Sequence, residues 1–201
     1  EFARSLKRSM RQVHRAGEKL FIDYAGDTVP IFDADTGKII RAQIFGAVLG
    51  ASSYTFACAT AAQSQADRLG ALTKAFVFIG VVPDNTRSMV KLADRYEPQL
   101  QRTTAVFAAH YGVAILPARP YKPQDKGKVE VGVQIVQRWV LARLRQQRFF
   151  SLGELNGVIA ALLEPLNTHP FRRLPSCRKD AFEMLDRPAL RALPLTPFQY
   201  A

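Results

Sequence analysis

The stretch LFIDYAGDTVPIFDADTGKIIRAQIFGAVLG, residues 20–50, constrains the fold more than any other part of the chain. Two apolar, strand-like runs, 20–31 and 39–50, flank the segment FDADTGK, which supplies Asp, Thr and Gly where a hairpin has to reverse. Asp33 and Asp35 resemble the opening of a calcium loop, but the later Gly and Glu of such a loop are absent, so they are turn residues. A third run, YTFACAT (54–60), extends the hairpin into a three-stranded meander.

The rest of the chain alternates. Ser64-Gln65-Ala66-Asp67 reads as a capping box ahead of Leu69, Leu72, Phe76 and Ile79 at helical spacing, and Gly80 ends that helix. A short strand follows at 81–83, then a helix over 99–110, a strand VAIL at 113–116 and a proline-rich segment, 117–124. A long helix runs from Asp125 to about Gln147, with Val129, Val133, Val136 and Val140 on its core-facing stripe. A last helix opens on the box Ser151–Glu154 and carries Leu155, Val158, Ile159, Leu162, Leu163 and Leu166 on its apolar side. This order predicts an α/β fold: a mixed five-stranded sheet with helices on both faces.

The length suits one core with appendages. Residues 1–19 are basic and polar, and the chain opens on Glu1-Phe2 without an initiator Met or signal peptide. They are therefore expected to be a linker or helical tail from an upstream domain. The core is expected over 20–168. Residues 169–201 hold five prolines and little periodicity, as expected of an extension that crosses the surface or leads to a further domain.

Composition narrows the function. Hydrophobic residues make up 48%, which excludes a disordered chain. No apolar run approaches the ~20 residues of a membrane span. Cys58 and Cys177 are too few and too scattered for a disulfide framework, which fits a reducing cytoplasm. With His14, His110 and His169 they make no zinc spacing. Lys and Arg number 28 against 17 acids, a net charge of +11, and such an excess points to a polyanion, nucleic acid first. Between Arg119 and Arg148 stand eight basic residues (Arg119, Lys122, Lys126, Lys128, Arg138, Arg143, Arg145, Arg148) against Asp125 and Glu130.

Three acids stand out by position. Asp23 interrupts the first strand, Asp84 follows the fourth, and Glu130 lies in the first turns of the long helix. PYKPQDKGKVE (120–130) resembles the retroviral-integrase signature, a proline-rich loop entering a helix through Gly and then Val-Glu. PDN after a short strand and FIDYAG resemble the other two acid motifs of that superfamily. RQVHRAGEKLFIDYAG, VPDN, HYGV…PARP…KGKVE and EPLNTHPFR recur in this order in IstA-type transposases, insertion-sequence recombinases that work with a helper AAA+ ATPase. The resemblance covers roughly residues 10–201. It departs from the retroviral pattern in spacing, with 45 residues between Asp84 and Glu130.

The resemblance implies a ribonuclease H-like fold in which the first and fourth strands are central neighbours. Asp23 and Asp84 would then face each other, and the long helix would bring Glu130 to them. Three converging carboxylates repel unless cations hold them, and oxygen ligands select Mg²⁺ or Mn²⁺. Two ions about 3.5–4 Å apart would clamp an in-line phosphoryl displacement. On this reading Asp23, Asp84 and Glu130 are both the catalytic residues and the metal ligands of a DDE transposase core, with Asn85 and Gly127 supporting. Arg119, Lys122, Lys126 and Lys128 would hold DNA by its phosphates.

The expected reactions are 3′-end cleavage at the element end and strand transfer into target DNA. Expected partners are transposon and target DNA, further copies of the full-length protein and, by resemblance, the helper ATPase. The expected location is the bacterial cytoplasm, at the nucleoid during function. Residues 117–126 are expected to be mobile without DNA and ordered on it. Two rivals remain: a ribonuclease H-like nuclease or resolvase, and a basic DNA-binding module with inert acids. Cys58, His110 and Trp139 read as packing residues with no chemical role.

Overall fold

A computed structural model of the protein describes residues 14–83, 89–92, 102–117, 134–172 and 174–200. β1 (Lys19–Phe32) and β2 (Ile39–Leu49) form the hairpin, and β3 (Thr55–Thr60) adds antiparallel to the far side of β2. At the hairpin tip Asp33 Oδ1 accepts hydrogen bonds from the Asp35 N–H (3.1 Å) and the Thr36 N–H (2.7 Å). These acids therefore make a turn, as their spacing predicts. After α1 (Gln65–Ile79) and β4 (Val81–Pro83), two short strands join the open side of β1 in parallel: β5 (Met89–Leu92) and, beyond α2 (Arg102–Tyr111), β6 (Ala114–Pro117). The sheet order is β3-β2-β1-β5-β6.

α1 starts where Ser64 accepts a hydrogen bond from the Asp67 N–H. It ends at Gly80, whose left-handed φ of 77° lets its N–H cap the Phe76 and Val77 carbonyls. Its buried stripe, Leu69, Leu72, Phe76 and Ile79, is the one the spacing predicts. α1 covers the face bearing Leu20, Ile22, Phe45 and Phe56: the Phe78 and Phe56 rings lie 5.3 Å apart, and Phe107 and Tyr111 of α2 pack on Phe76.

The opposite face is covered by α3, residues 134–144, whose middle opens into a wide π turn, Gln137–Leu141. It buries Val136, Val140, Leu141 and Leu144. Val136 and Val140 thus occupy the predicted stripe, while Val129 and Val133 lie outside the described residues. Gly46 on β2 makes room for α3, since a Cβ there would sit 3.5 Å from Val136 Cγ2.

α4 (Leu152–Thr168) opens on Ser151, which accepts from the Glu154 N–H, and then runs along the outer edge of β3. Asn167 receives the Thr55 N–H on Oδ1 (2.9 Å) and returns Nδ2–H to the Thr55 carbonyl (2.8 Å). Asn156 does the same at Ala59, at 2.8 and 3.0 Å. Four strand residues span ~13 Å and eleven helical residues ~16 Å, so two amides three turns apart can each stand in for a peptide of a neighbouring strand. Asn167 is fully buried. Asn167→Leu should lower stability by about 2–4 kcal/mol, because it strands a buried N–H and a buried C=O. Asn156→Leu, at a half-buried site, should cost less. Parallel thermal melts decide this, and equal losses would show that the helix packing, not the amide pair, holds the edge.

The C-terminal residues pack back onto this core. Cys177 caps α5 (Arg178–Ala181), which widens into a π turn, Phe182–Asp186, and passes through a 3₁₀ turn, Arg187–Ala189, into β7 (Leu190–Ala192). Phe182 stacks on Tyr54 at 4.4 Å, and Phe198 meets Phe107 edge-on at 5.1 Å. Asp186, 1% exposed, accepts the Gly17 N–H on one oxygen (2.8 Å) and the Ser52 N–H on the other (2.9 Å). Only glycine fits at position 17, where φ is +66° and a Cβ would lie 2.6 Å from the Ala189 carbonyl oxygen.

One expectation is corrected. The strand before Asp84 was to be the central neighbour of β1, but β4 pairs antiparallel with β7, and β5 takes the place beside β1. The connection explains this. α1 is followed by a single linking residue, Gly80, and layers stack about 10 Å apart, a distance that three extended residues just span. A run as short as Val81–Pro83 has little length left for the main sheet, and it pairs with β7.

Candidate functional site

Asp23 is the predicted site residue that lies within the described part of the chain. It faces Gly46 across the β1–β2 pairing, on the face covered by α3. The side chain is half-buried, and its Oδ1 accepts the Tyr24 N–H at 2.8 Å, which fixes the carboxylate close to its own backbone. Immediately beyond, the register of β1 against β2 shifts: Tyr24 pairs with Phe45 and Thr28 with Gln43, so Ala25, Gly26 and Asp27 stand opposite Ile44 alone. Such a bulge bends the strand and re-aims the side chains beside it, a device common next to active sites. The sequence signal for it was YAGD, a glycine and a charge inside a strand pattern.

The donor chemistry fits a hard cation: a carboxylate, half-buried, opposite a residue without a side chain. Asp84, Asn85, Arg119, Lys122, Lys126, Gly127, Lys128 and Glu130, together with the 117–126 loop beyond Pro117, lie outside the described residues. Among the described residues no group of three or more His, Cys, Asp or Glu side chains is placed to hold a metal ion.

The residues read as packing groups do pack. Cys58 is buried, and burial pushes its thiol up to about 12. His110 Nε2 lies 3.0 Å from the Thr196 carbonyl oxygen, and its ring meets Tyr111 and Phe198 edge-on. Trp139 carries the Arg143 guanidinium 3.8 Å over its ring and touches His169.

A mixed sheet with helices on both faces is an architecture this chain shares with solved integrase chains. A chain of the simian T-cell lymphotropic virus intasome, solved in complex with PP2A regulatory subunit B56 gamma, superposes with a TM-score of 0.65 over 96% of this chain and 63% of that one. The catalytic core domain of BIV integrase superposes at 0.58, over 84% and 95%. Identity is 12% in both, so the likeness is one of fold.

The particular relatives carry transposase names. The chain is homologous over its whole length to the "Putative transposase for insertion sequence IS408" of Burkholderia multivorans (57% identity, 40% of that protein). It matches the "Putative transposase for insertion sequence IS1162" of Pseudomonas fluorescens over 98% of its length (57% identity, 36% of that protein). A Sinorhizobium fredii relative, "Putative transposase y4bL/y4kJ/y4tB", is 48% identical over 96% of the chain. The chain spans about two fifths of the length of these relatives. No family model matches it. Among the described residues no helix is long and apolar enough to cross a membrane.

Proposed function

We propose that this chain is the catalytic core of an IstA-type DDE transposase, which cleaves the 3′ ends of its element and joins them to target DNA. The observation that carries the reading is the placement of Asp23: on β1, opposite Gly46, beneath the helix whose sequence leads back from Gln134 to Glu130 in four residues. Homology to insertion-sequence transposases and the integrase-core fold support it.

In this reading Asp23, Asp84 and Glu130 hold two Mg²⁺ or Mn²⁺ ions, which would neutralise charge building on the scissile phosphate and make water or a 3′ hydroxyl acidic enough to attack. The Tyr24 N–H orients Asp23, and the bulge follows directly after it. Asn85 orients Asp84, and Gly127 lets the chain turn into the Glu130 helix. Arg119, Lys122, Lys126 and Lys128 position the strand by its phosphates. In the sequence Asp84 stands between β4 and β5, the strand beside β1.

Self-association on DNA, the helper ATPase and work at the nucleoid complete the proposal. The test is the full-length enzyme on a duplex bearing the element end. Joining of that end to target DNA in Mg²⁺ or Mn²⁺ is the expected result. Nicking without joining favours a nuclease or resolvase, and neither reaction favours a DNA-binding module with inert acids.

A further inference from the structure

We infer that the groove between the β1–β2 hairpin and the C-terminal half of α3 seats the phosphate backbone of DNA on its way out of the Asp23 site. The nature of this ligand rests on the proposed function; the groove itself is a feature of the described residues. It has a volume of about 480 Å³ and is lined by Arg41, Leu141, Leu144 and Arg145, together with residues 26–30 of β1, Asp27 among them.

Two guanidinium groups come to this groove from parts of the chain a hundred residues apart. Arg41 is on β2, level with Pro30 of β1, and Arg145 follows the last turn of α3. Both are exposed, and among the described residues neither is recorded in an ion pair with Asp27 or any other acid. Arg is suited to phosphate, because its planar fork donates two parallel hydrogen bonds and stays charged at every working pH. The groove is only partly enclosed. That suits a strand passing through it, whereas a small-molecule site would enclose most of its ligand.

Its position relative to Asp23 follows from how α3 lies. Val136 sits against Gly46, the partner of Asp23; Gln137 Nε2 lies 4.0 Å from where a Gly26 Cβ would be; and Phe149, after the helix, bridges to Ile31. α3 therefore runs alongside β1 in the same direction. The groove starts three residues past Asp23 and ends seven past it, ~10–20 Å at ~3.3 Å per residue. That is about 3–6 nucleotide steps at ~3.4 Å each, so one strand could lie in both places. Arg41 and Arg145 are not among the four basic residues read from the sequence as DNA contacts.

The test is binding of the whole 201-residue chain to a labelled duplex of arbitrary sequence, followed by fluorescence anisotropy in EDTA at ~50–200 mM salt. Arg41→Gln with Arg145→Gln should lower the slope of log affinity against log salt by about 2, and weaken binding about 30-fold at ~0.15 M. Arg41→Lys with Arg145→Lys should keep most of the slope. Lys74→Gln with Arg102→Gln removes the same charge from α1 and α2 on the other face and should leave the slope alone. Thermal melts confirm folding of each variant. An unchanged slope in the groove pair, an equal fall in the control pair, or no salt-dependent binding by the unaltered chain each overturns the proposal. Metal is absent, so failure of the metal-site reading leaves the assay intact.

Discussion

Asp23→Asn and Asp84→Asn should each abolish metal-dependent cleavage by the full-length enzyme, by about a thousandfold or more, while leaving the fold intact. Asn has nearly the shape of Asp but lacks the charge a hard cation requires. A bound metal contributes several kcal/mol to stabilising charge in the transition state, and each ~1.4 kcal/mol is a factor of ten in rate. Removing one of three mutually repelling carboxylates should also raise the melting temperature of the metal-free protein slightly. Asp84 carries the sharper test, because the strand that precedes it pairs with β7 while β5 lies beside β1. The next acid in sequence after β5 is Asp94. Activity retained in Asp84→Asn and lost in Asp94→Asn would overturn the assignment of the second ligand and move it to the other end of β5.

Asp186→Leu should destabilise the chain by about 3–5 kcal/mol, lowering its melting temperature by about 10 °C. The carboxylate is buried and receives two backbone N–H groups, from Gly17 ahead of β1 and from Ser52 in the turn between β2 and β3. Leucine fills the space but leaves both donors without an acceptor, at about 1–3 kcal/mol each. Asp186→Asn keeps one carbonyl oxygen and should lose roughly half as much. Chemical denaturation of the three proteins measures the series. A leucine variant as stable as the original would show that water reaches both donors.

Why these acids and amides escaped the sequence reading is a matter of range. Local chemistry was legible: the Ser64 and Ser151 caps, the Asp33 turn, the Gly80 stop and the stripe on α1 all depend on residues within a few positions of one another. Asp23 was legible for a different reason, since a charge inside an apolar strand pattern is costly and so conspicuous. Asn156, Asn167 and Asp186 act on partners 97 to 169 residues away, and nothing near them in the chain announces it. One signal existed for the asparagines. Asn is a weak helix former, and two of them eleven positions apart beside the buried stripe of α4 are placed to reach sideways. The pairing of β4 was misjudged because a short β-branched run carries no mark of which neighbour it will take.

The amide ladder on β3 has a consequence for the chain while it is being made. The strand is complete once residue 60 has emerged, yet the Asn167 that covers Thr55 comes 112 residues later than its partner. At ~5–20 residues per second that is an interval of about 6–20 s during which an apolar strand presents an unpaired edge. Neighbouring nascent copies on one messenger carry the same edge, and open edges of that kind recruit one another. Yield of the folded protein should therefore depend on how quickly α4 is delivered, and so on translation rate and temperature as much as on the stability of the finished fold.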